Sequence, residues 1–292
     1  MKIPELKGCG TALVTPFLKD GEIDYEAYGA LVSRQVDGGV DFLVPLGTTA
    51  ETPTLDPMER LALLEITHDC AAGLPLLVGC GSNSVRGTLF NMQALEGSAV
   101  DAWLVVVPFY NKPTQEGMYQ YYKTIADASS KPIVMYNVPG RTGVNMLPET
   151  AVRIARDIPG VIGIKEASGK PEQAAYIASE APSDFIVLSG DDDLTLEMMK
   201  TGARGVISVA SNVRPAEVSA LCAAALDGRW EEASALNEAL KPLYRACFVE
   251  SNPIPAKAAL SLLGLCSDHM RLPLTPAAAS TRELMKEVLA AF

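Results

Sequence analysis

The sequence predicts an α/β fold, a (β/α)8 TIM barrel followed by a C-terminal helical subdomain. Three observations lead to it: eight short apolar segments suited to buried parallel strands, a helical pattern after each, and a purely helical pattern after residue 229. With 292 residues, 48% of them hydrophobic, the chain can bury the core of such a barrel. An open doubly wound sheet is less favoured, because the first strand is followed by Thr15-Pro16-Phe17 and not by a glycine-rich nucleotide loop.

The predicted strands are apolar and rich in β-branched residues, as expected for strands covered on both faces. Each is followed by residues that favour turns and then by a helical pattern. The functional groups of such barrels lie at the carboxyl ends of the strands, so a site is expected where these segments end. The segments are 9–16, 42–47, 76–81, 103–109, 133–138, 161–167, 185–190 and 205–210.

The helix after the second strand has clear boundary signals. Asp56 is a candidate N-cap, Pro57 suits the first helical position, and Glu59 can close a capping box with Asp56. Gly73 and Pro75 predict that this helix ends before them. The apolar spacing between these ends is that of a helix packed on a sheet.

The last part of the chain is predicted to be helical, with helices over 230–249, 253–264 and 276–292. Thr275 and Pro276 predict the N-cap and the first residue of the final helix. We therefore predict two units without a long linker between them, a barrel domain over 1–229 and a helical subdomain over 230–292.

Composition and charge exclude several classes of function. The formal net charge of −11 argues against nucleic acid as a partner, because phosphate binding needs a basic face. No run of about 18 apolar residues predicts a membrane span, and the N-terminus lacks the apolar core of a secretory signal. The six cysteines, which lack Cys-x-x-Cys spacing, are expected to be reduced thiols of a cytoplasmic protein. The two histidines have no ligand-spaced partners, so we expect no metal centre.

Lys165 is the most informative single residue. It stands in the apolar stretch Val161-Ile-Gly-Ile-Lys-Glu-Ala-Ser168, where burial disfavours the charged ammonium form. A neutral amine is the form that attacks a carbonyl to make a Schiff base. On this segment alone, the alternative is a strand-end lysine that reaches water or pairs with a carboxylate such as Glu166.

Polar residues follow the other strands, at the edge where a barrel site is expected. Singly, each has a structural explanation: Gly47-Thr48-Thr49 can be a turn, Tyr136 can belong to the core, and Asp191-Asp192 can cap a helix. Together with Lys165 and Arg141, they surround one mouth with an amine, phenols, hydroxyls and a guanidinium. The set lacks the paired acids of a glycosidase and a Ser-His nucleophile, and it suits carbonyl chemistry through an imine.

Seven motifs follow one another at barrel spacing: Thr11-Ala-Leu-Val-Thr-Pro-Phe17, Gly47-Thr-Thr-Ala-Glu51, Pro108-Phe-Tyr-Asn111, Tyr136-Asn-Val-Pro-Gly-Arg-Thr-Gly143, Gly163-Ile-Lys-Glu-Ala-Ser168, Gly205-Val-Ile-Ser-Val209 and Asn252-Pro-Ile-Pro-Ala-Lys257. With them the chain closely resembles the dihydrodipicolinate synthase family, which is part of the superfamily of pyruvate-dependent class I aldolases. The resemblance covers essentially the whole chain.

The resemblance implies a reaction and a role for each candidate residue. Lys165 would form a Schiff base with pyruvate, without any separate cofactor, and the enamine would attack the aldehyde of L-aspartate-4-semialdehyde. Tyr136 would transfer protons beside the imine, and Thr48 would link it to Tyr110 contributed by the neighbouring subunit. Thr48 and Thr49 would hold the pyruvate carboxylate through hydroxyls and N–H groups.

Three further positions are implied in the same way. Arg141 would bind the carboxylate of the second substrate with its planar guanidinium. Gly190 and the carbonyl of Ile207 would complete the site. The resemblance also implies a homo-oligomer, a tetramer built from tight dimers.

Two alternatives to the synthase stay open at this stage. The first is another pyruvate-dependent aldolase or lyase acting on N-acetylneuraminate or a 2-keto-3-deoxy sugar acid. Arg141, within Pro-Gly-Arg-Thr-Gly, favours the synthase over it. The second is a barrel that binds a keto acid without turnover, and the presence of both Lys165 and Tyr136 argues against it.

The positions that resemble an L-lysine effector site depart from the pattern of lysine-inhibited members. Phe109 stands where those members have a tyrosine, and Pro57, Arg60 and Gly87 replace polar residues. Only Asn83 is kept. We therefore expect feedback inhibition by L-lysine to be weak or absent.

Overall fold

The computed structural model describes residues 4–292, which form eight parallel strands arranged as a barrel and twelve α-helices. The predicted fold class is confirmed. Residues 1–3 of the predicted barrel domain lie outside the described part of the chain. The strands are β1 (Gly8–Ala12), β2 (Phe42–Val44), β3 (Leu77–Gly79), β4 (Ala102–Val106), β5 (Ile133–Asn137), β6 (Val161–Glu166), β7 (Ile186–Ser189) and β8 (Gly205–Ser208).

Helices follow the strands and then continue alone to the end of the chain. Short 3₁₀ turns over Thr48–Ala50, Thr52–Thr54, Asp192–Leu194 and Ala210–Asn212 lie in the loops after β2, β7 and β8. The helices are α1 (Tyr25–Asp37), α2 (Pro57–Cys70), α3 (Val85–Ala94), α4 (Gln115–Ala128), α5 (Pro139–Thr142), α6 (Pro148–Asp157), α7 (Pro171–Glu180), α8 (Thr195–Lys200), α9 (Pro215–Leu226), α10 (Trp230–Ala246), α11 (Ile254–Leu262) and α12 (Ala279–Ala290).

The strands run around the barrel in the order β2-β1-β8-β7-β6-β5-β4-β3, and every paired neighbour is parallel. The barrel closes between β2 and β3 through a single parallel bridge that pairs Leu43 with Leu76. The backbone N–H of Gly79 also donates to the carbonyl of Pro45 across this gap, at 3.0 Å. The closure brings the carboxyl ends of all eight strands to one mouth.

Two layers of apolar side chains hold the barrel together. Inward-facing residues of all eight strands, among them Phe42, Leu104 and Ile207, form a compact interior cluster. The side chains that alternate with them pack outward against the surrounding helices in a larger cluster. A rigid scaffold of this kind fixes the strand ends from which the site is built.

The helix boundaries follow the predicted signals at α2 and depart from them at α12. The Asp56 side chain accepts hydrogen bonds from the N–H groups of residues 58 and 59, and the capping box with Glu59 is present, as predicted. The prediction that Thr275 and Pro276 begin the last helix is wrong, because α12 begins at Ala279. The N–H of Ala278 is bound instead by the Glu250 carboxylate at 3.0 Å, a partner from outside the local sequence.

Among the C-terminal helices, α12 packs on both α10 and α11, and α10 packs on α9. The division of these helices from the barrel at residue 229 stays a prediction.

All six cysteines are free thiols. Within residues 4–292, no helix combines the length and apolar character needed to cross a bilayer, and no group of three or more His, Cys, Asp or Glu side chains is arranged to hold a metal ion.

Candidate active site

A cavity of about 580 Å³ opens where the strands end. Its wall is built from the loops after β2, β3, β4 and β5, from β6, and from the segment before α11. Five of the predicted site residues line it: Thr48, Thr49, Tyr136, Arg141 and Lys165. The barrel therefore brings together side chains that are up to 117 positions apart along the chain, from Thr48 to Lys165.

Lys165 lies deep in this cavity. Its residue is 6% exposed, and β6 pairs it with Tyr136 on β5 and with Leu188 on β7. The ammonium nitrogen lies 4.3 Å from the centroid of the Tyr136 ring. Within residues 4–292, no carboxylate forms an ion pair with Lys165 and no side chain hydrogen-bonds its nitrogen. The Lys165 nitrogen thus lies against a phenol ring in the cavity, where a ligand can reach it.

The inward direction of Lys165 depends on an irregularity in β6. Ile162 packs in the barrel interior, and simple alternation would then turn Ile164 inward and Lys165 outward. The pairing with β5 shifts by one residue here, so that Ile162 is an extra residue and Ile164 packs outward among the helices. Gly163 is required at the shift, because a Cβ there would lie 2.6 Å from the carbonyl oxygen of Ile186.

Glu166 faces away from the cavity, as alternation after Lys165 requires. Its carboxylate accepts hydrogen bonds from Asn137 at 3.0 Å, from Gln173 at 3.1 Å and from the N–H of Ser168 at 2.7 Å. Burial raises the pKa of Glu166, and these hydrogen bonds oppose the rise. The ion pair between Lys165 and Glu166 that the strand sequence left open does not form.

The Thr48–Ala50 turn carries the hydroxyls predicted to bind a carboxylate. Thr49 is buried, and its hydroxyl oxygen accepts a hydrogen bond from the Asn252 side chain at 2.9 Å. The Thr15 hydroxyl donates to the carbonyl of Ala50 at 2.8 Å. Glu51, which ends the turn, has a φ of 55°, a left-handed conformation that is unfavourable for a residue with a side chain. The surrounding contacts therefore hold the turn in a shape it would not adopt alone.

Gly190 lies directly behind Lys165. A Cβ at this position would be 3.0 Å from Cε of Lys165 and 2.6 Å from Cβ of Ala167, so only glycine leaves room for the lysine side chain. Ile207 is 1% exposed and belongs to the barrel interior, next to the end of β8. Both residues flank the site without lining the cavity itself.

Asp192 fixes the loop that follows Ile207. Its carboxylate accepts hydrogen bonds from the Ser208 hydroxyl at 2.5 Å and from the N–H groups of Val209 and Ala210 at 3.0 and 3.1 Å. Burial raises the pKa of Asp192, while these hydrogen bonds and the charge of Lys165 oppose the rise. Asp192 therefore braces the end of β8, which differs from the helix-capping role that the sequence allowed.

Arg141 and Tyr110 are placed differently from the buried residues. Arg141 is exposed on the short helix α5 at the cavity rim, and its only side-chain hydrogen bond within residues 4–292 is a long one, 3.4 Å, to the carbonyl of Asn252. Tyr110 is 88% exposed, has a φ of 73° and does not line the cavity. Within one chain, Tyr110 thus points to solvent from a strained backbone, and the predicted link through Thr48 needs a second chain.

The chain matches a family model over almost its whole length. The model is that of the dihydrodipicolinate synthetase family, and the match covers residues 5–292. The chain belongs to this family. The resemblance inferred from the seven sequence motifs is thereby confirmed.

Relatives of the dihydrodipicolinate synthetase family agree in sequence and in structure. The chain is 51% identical over 287 residues to the 4-hydroxy-tetrahydrodipicolinate synthase of Thermotoga neapolitana, covering 97% of each protein. It superposes on the crystal structure of dihydrodipicolinate synthase from Thermotoga maritima with a TM-score of 0.96 at 48% identity, covering 98% of each chain. The synthase of Acinetobacter baumannii, crystallised with pyruvate, gives a TM-score of 0.95 at 40% identity, covering 98% of this chain and 99% of the other.

Two residues on the cavity wall were not among the site residues predicted from the sequence. Asn252 and Glu51 both line the cavity, and both contact partners about 200 positions away in the sequence. Both were present in the recognised motifs, which was the only signal that could have found them. Their contacts join the barrel to the C-terminal helices, so no local spacing could reveal them.

Two of the residues at positions that resemble an effector site, Arg60 and Phe109, also line the cavity. Arg60 lines it and donates to the carbonyls of Leu55 and Thr52 at 3.1 and 3.0 Å. Burial lowers the pKa of Arg60. The two hydrogen bonds hold the Arg60 guanidinium against the backbone. Weak or absent inhibition by L-lysine stays a prediction.

Proposed function

We infer that the chain is a 4-hydroxy-tetrahydrodipicolinate synthase, a lyase of the class I aldolase type that condenses pyruvate with L-aspartate-4-semialdehyde. The reaction belongs to the diaminopimelate route to L-lysine. Relatives at 48–51% identity carry this name, and the chain covers 97% of their length. The observation that carries the chemistry is Lys165, a buried amine without a carboxylate partner that faces a cavity large enough for two small substrates.

In the first half of the reaction, the amine of Lys165 attacks the C2 carbonyl of pyruvate. Loss of water gives the Schiff base, and loss of a methyl proton gives the enamine. Tyr136 is the proposed proton-transfer residue of this step, because its ring lies against the lysine nitrogen, 4.3 Å from ring centroid to Nζ. The covalent imine takes the place of a cofactor.

The pyruvate carboxylate is bound by the Thr48–Thr49 turn. Both threonines line the cavity, and the turn offers hydroxyls and backbone N–H groups, which make short and strong bonds to a carboxylate. Gly190 and Ile207 flank the lysine from β7 and β8 and complete the floor of the site. The enamine then attacks the aldehyde of the second substrate, and cyclisation follows.

Arg141 is proposed to bind the carboxylate of L-aspartate-4-semialdehyde at the rim. We expect Arg141→Ala to lower kcat/KM for this substrate by about 10- to 100-fold, because hydrogen bonds to a charged group contribute about 1.5–3 kcal/mol each. Formation of the pyruvate adduct should be unchanged, since Arg141 is exposed on α5 at the cavity rim whereas Lys165 is buried on β6. The measurement is steady-state kinetics with each substrate varied in turn.

The matched control is Arg156→Ala, an exposed arginine whose side chain binds the carbonyl of Glu180 on the outer surface. It should leave both kinetic constants at the wild-type values. Unchanged turnover of aspartate semialdehyde in Arg141→Ala would contradict the assignment and favour a sugar-acid aldolase.

A homo-oligomer is part of the proposal, with a tetramer of tight dimers as its expected form and the cytoplasm as its expected location. Support comes from Tyr110, whose exposed ring stands on strained backbone beside the exposed Phe109. A strained aromatic residue facing solvent is best explained by a partner that covers it. Full activity is then expected only where two chains meet.

The experiment that tests the function is a coupled assay with pyruvate, L-aspartate-4-semialdehyde, dihydrodipicolinate reductase and NADPH. We expect rapid loss of NADPH that requires both substrates. A folded protein that forms a borohydride-trapped pyruvate adduct without NADPH loss would point to another acceptor aldehyde. A folded protein that forms no adduct would reject imine chemistry altogether.

A further inference from the structure

A second buried lysine lies beneath the wall of the cavity. Lys257 on α11 donates to the Glu51 carboxylate at 2.8 Å, and both side chains are 0% exposed. The other carboxylate oxygen of Glu51 accepts the backbone N–H of Arg271 at 3.3 Å. The Lys257 nitrogen also lies 4.4 Å from the centroid of the Phe17 ring. Both oxygens of Glu51 are therefore held by the C-terminal part of the chain.

This ion pair acts on the turn that faces the keto acid. Glu51 follows Thr48-Thr49-Ala50 directly and belongs to the cavity wall, with its side chain buried behind the turn. Its left-handed backbone, with φ of 55°, ends the turn and sets the direction in which the two threonines point. The bond from Asn252 to the Thr49 hydroxyl, 2.9 Å long, is a second link from the same part of the chain.

Stability alone is a weak explanation for such a pair. Removing two charges from water is costly, and an apolar pair of similar size often stabilises a protein as well or better. Burial lowers the pKa of Lys257, and the Glu51 carboxylate opposes this. What an ion pair adds is a fixed distance and direction between the two side chains.

We propose that Lys257, acting through Glu51, is a positioning residue that orients the Thr48–Thr49 turn, so that the C-terminal helices set the affinity of the site for the carboxylate of a 2-keto acid. The inference rests on the proposed function, since it assumes that this turn binds the pyruvate carboxylate. Lys257 does not line the cavity and touches no substrate. Its effect should therefore appear in the binding of pyruvate before it appears in the chemistry.

The test is a titration of pyruvate with borohydride trapping, in which intact mass gives the fraction of protein modified at Lys165. The variants are Lys257→Met, Glu51→Gln and the double variant that combines them. The control is Arg282→Met, which breaks another ion pair of the C-terminal helices, with Asp268, that does not contact the turn. Circular dichroism and thermal melting establish that each protein is folded.

We expect Lys257→Met to raise the pyruvate concentration for half-maximal trapping by about tenfold or more, while saturating pyruvate still modifies nearly all of the protein. Glu51→Gln keeps the shape and an acceptor for Lys257, so its shift should be smaller. In Lys257→Met the Glu51 charge is left without its partner. The double variant removes that charge as well, so it should regain thermal stability relative to Lys257→Met without regaining affinity for pyruvate. Arg282→Met should match the wild type in affinity.

The outcomes separate the inference from the proposed function. Wild-type protein that forms no adduct rejects the proposed function. If the wild-type protein forms the adduct and every folded variant has a half-maximal pyruvate concentration within about twofold of the wild-type value, the positioning role is overturned. A double variant that regains both stability and affinity also overturns it, because the pair would then act only on the fold. If Lys257→Met does not fold, Glu51→Gln and the double variant decide by the same criteria.

Discussion

Replacing Lys165 by methionine is expected to abolish turnover and to leave the fold intact. Methionine has a similar length and no charge, so it suits a position that is 6% exposed and packed against the Tyr136 ring. Without the amine no imine can form, and the residual rate should fall by at least about 10³-fold, equivalent to about 4 kcal/mol of transition-state stabilisation.

The measurement combines the coupled assay with borohydride trapping. Lys165→Met should show neither NADPH loss above background nor a mass increase after reduction with pyruvate. Lys200→Met, which changes an exposed lysine on α8, is the matched control and should retain full activity and the adduct. An adduct that persists in Lys165→Met would mean that another amine reacts, and the assignment of the nucleophile would be wrong.

The strands could be predicted from sequence better than their ends. Each of the eight predicted segments overlaps a strand but runs past its end: β1 ends at Ala12 where the prediction extends to residue 16, and β2 ends at Val44 where it extends to residue 47. The apolar run continues beyond the last ladder hydrogen bond because the loops at the mouth are buried as well. Hydrophobicity indicates which residues are buried, and here the buried residues continue beyond the end of the strand.

The direction of Lys165 could not be predicted from the pattern of β6. The first four residues of the segment 161–166 are all apolar or glycine, so no alternation of polar and apolar residues indicates which of them face inward. The inward direction follows from the extra residue Ile162 and from a glycine that fits against the backbone of β7. Recognition of the motif supplied the correct answer, whereas periodicity alone would have left both faces open.

Contacts between distant segments are the other part that local patterns miss. Nothing near Glu51 indicates that Lys257 neutralises it, and nothing near Thr49 indicates a bond from Asn252. The prediction of the N-terminus of α12 was wrong for the same reason, since the distant Glu250 accepts the N–H of Ala278. The meeting of five predicted site residues in one cavity was therefore predictable from the sequence, and the contacts that the C-terminal helices make with them were not.

Removing only the phenol oxygen of Tyr136 is expected to slow the chemistry with little effect on the structure. The residue is 8% exposed and its ring belongs to the interior cluster, so Tyr136→Phe keeps the packing. General acid–base catalysis contributes about 10²–10⁴-fold, and we expect kcat to fall by that amount. In the proposed function the Thr48–Thr49 turn binds the pyruvate carboxylate, so the half-maximal pyruvate concentration for trapping should change far less than kcat.

The control is Tyr28→Phe, which also removes a buried hydroxyl. Tyr28 lies on α1 outside the cavity, and its hydroxyl hydrogen-bonds the Thr67 hydroxyl at 2.7 Å. Loss of the Tyr28 hydroxyl should therefore cost about 1 kcal/mol of stability and leave kcat unchanged.

Single-turnover trapping with pyruvate separates the possible steps. A slow adduct in Tyr136→Phe places the phenol in imine formation, whereas a fast adduct with slow turnover places it in a later proton transfer. Wild-type kcat in a folded Tyr136→Phe would contradict any role for this phenol, and proton transfer would then have to come from solvent or from the substrate itself.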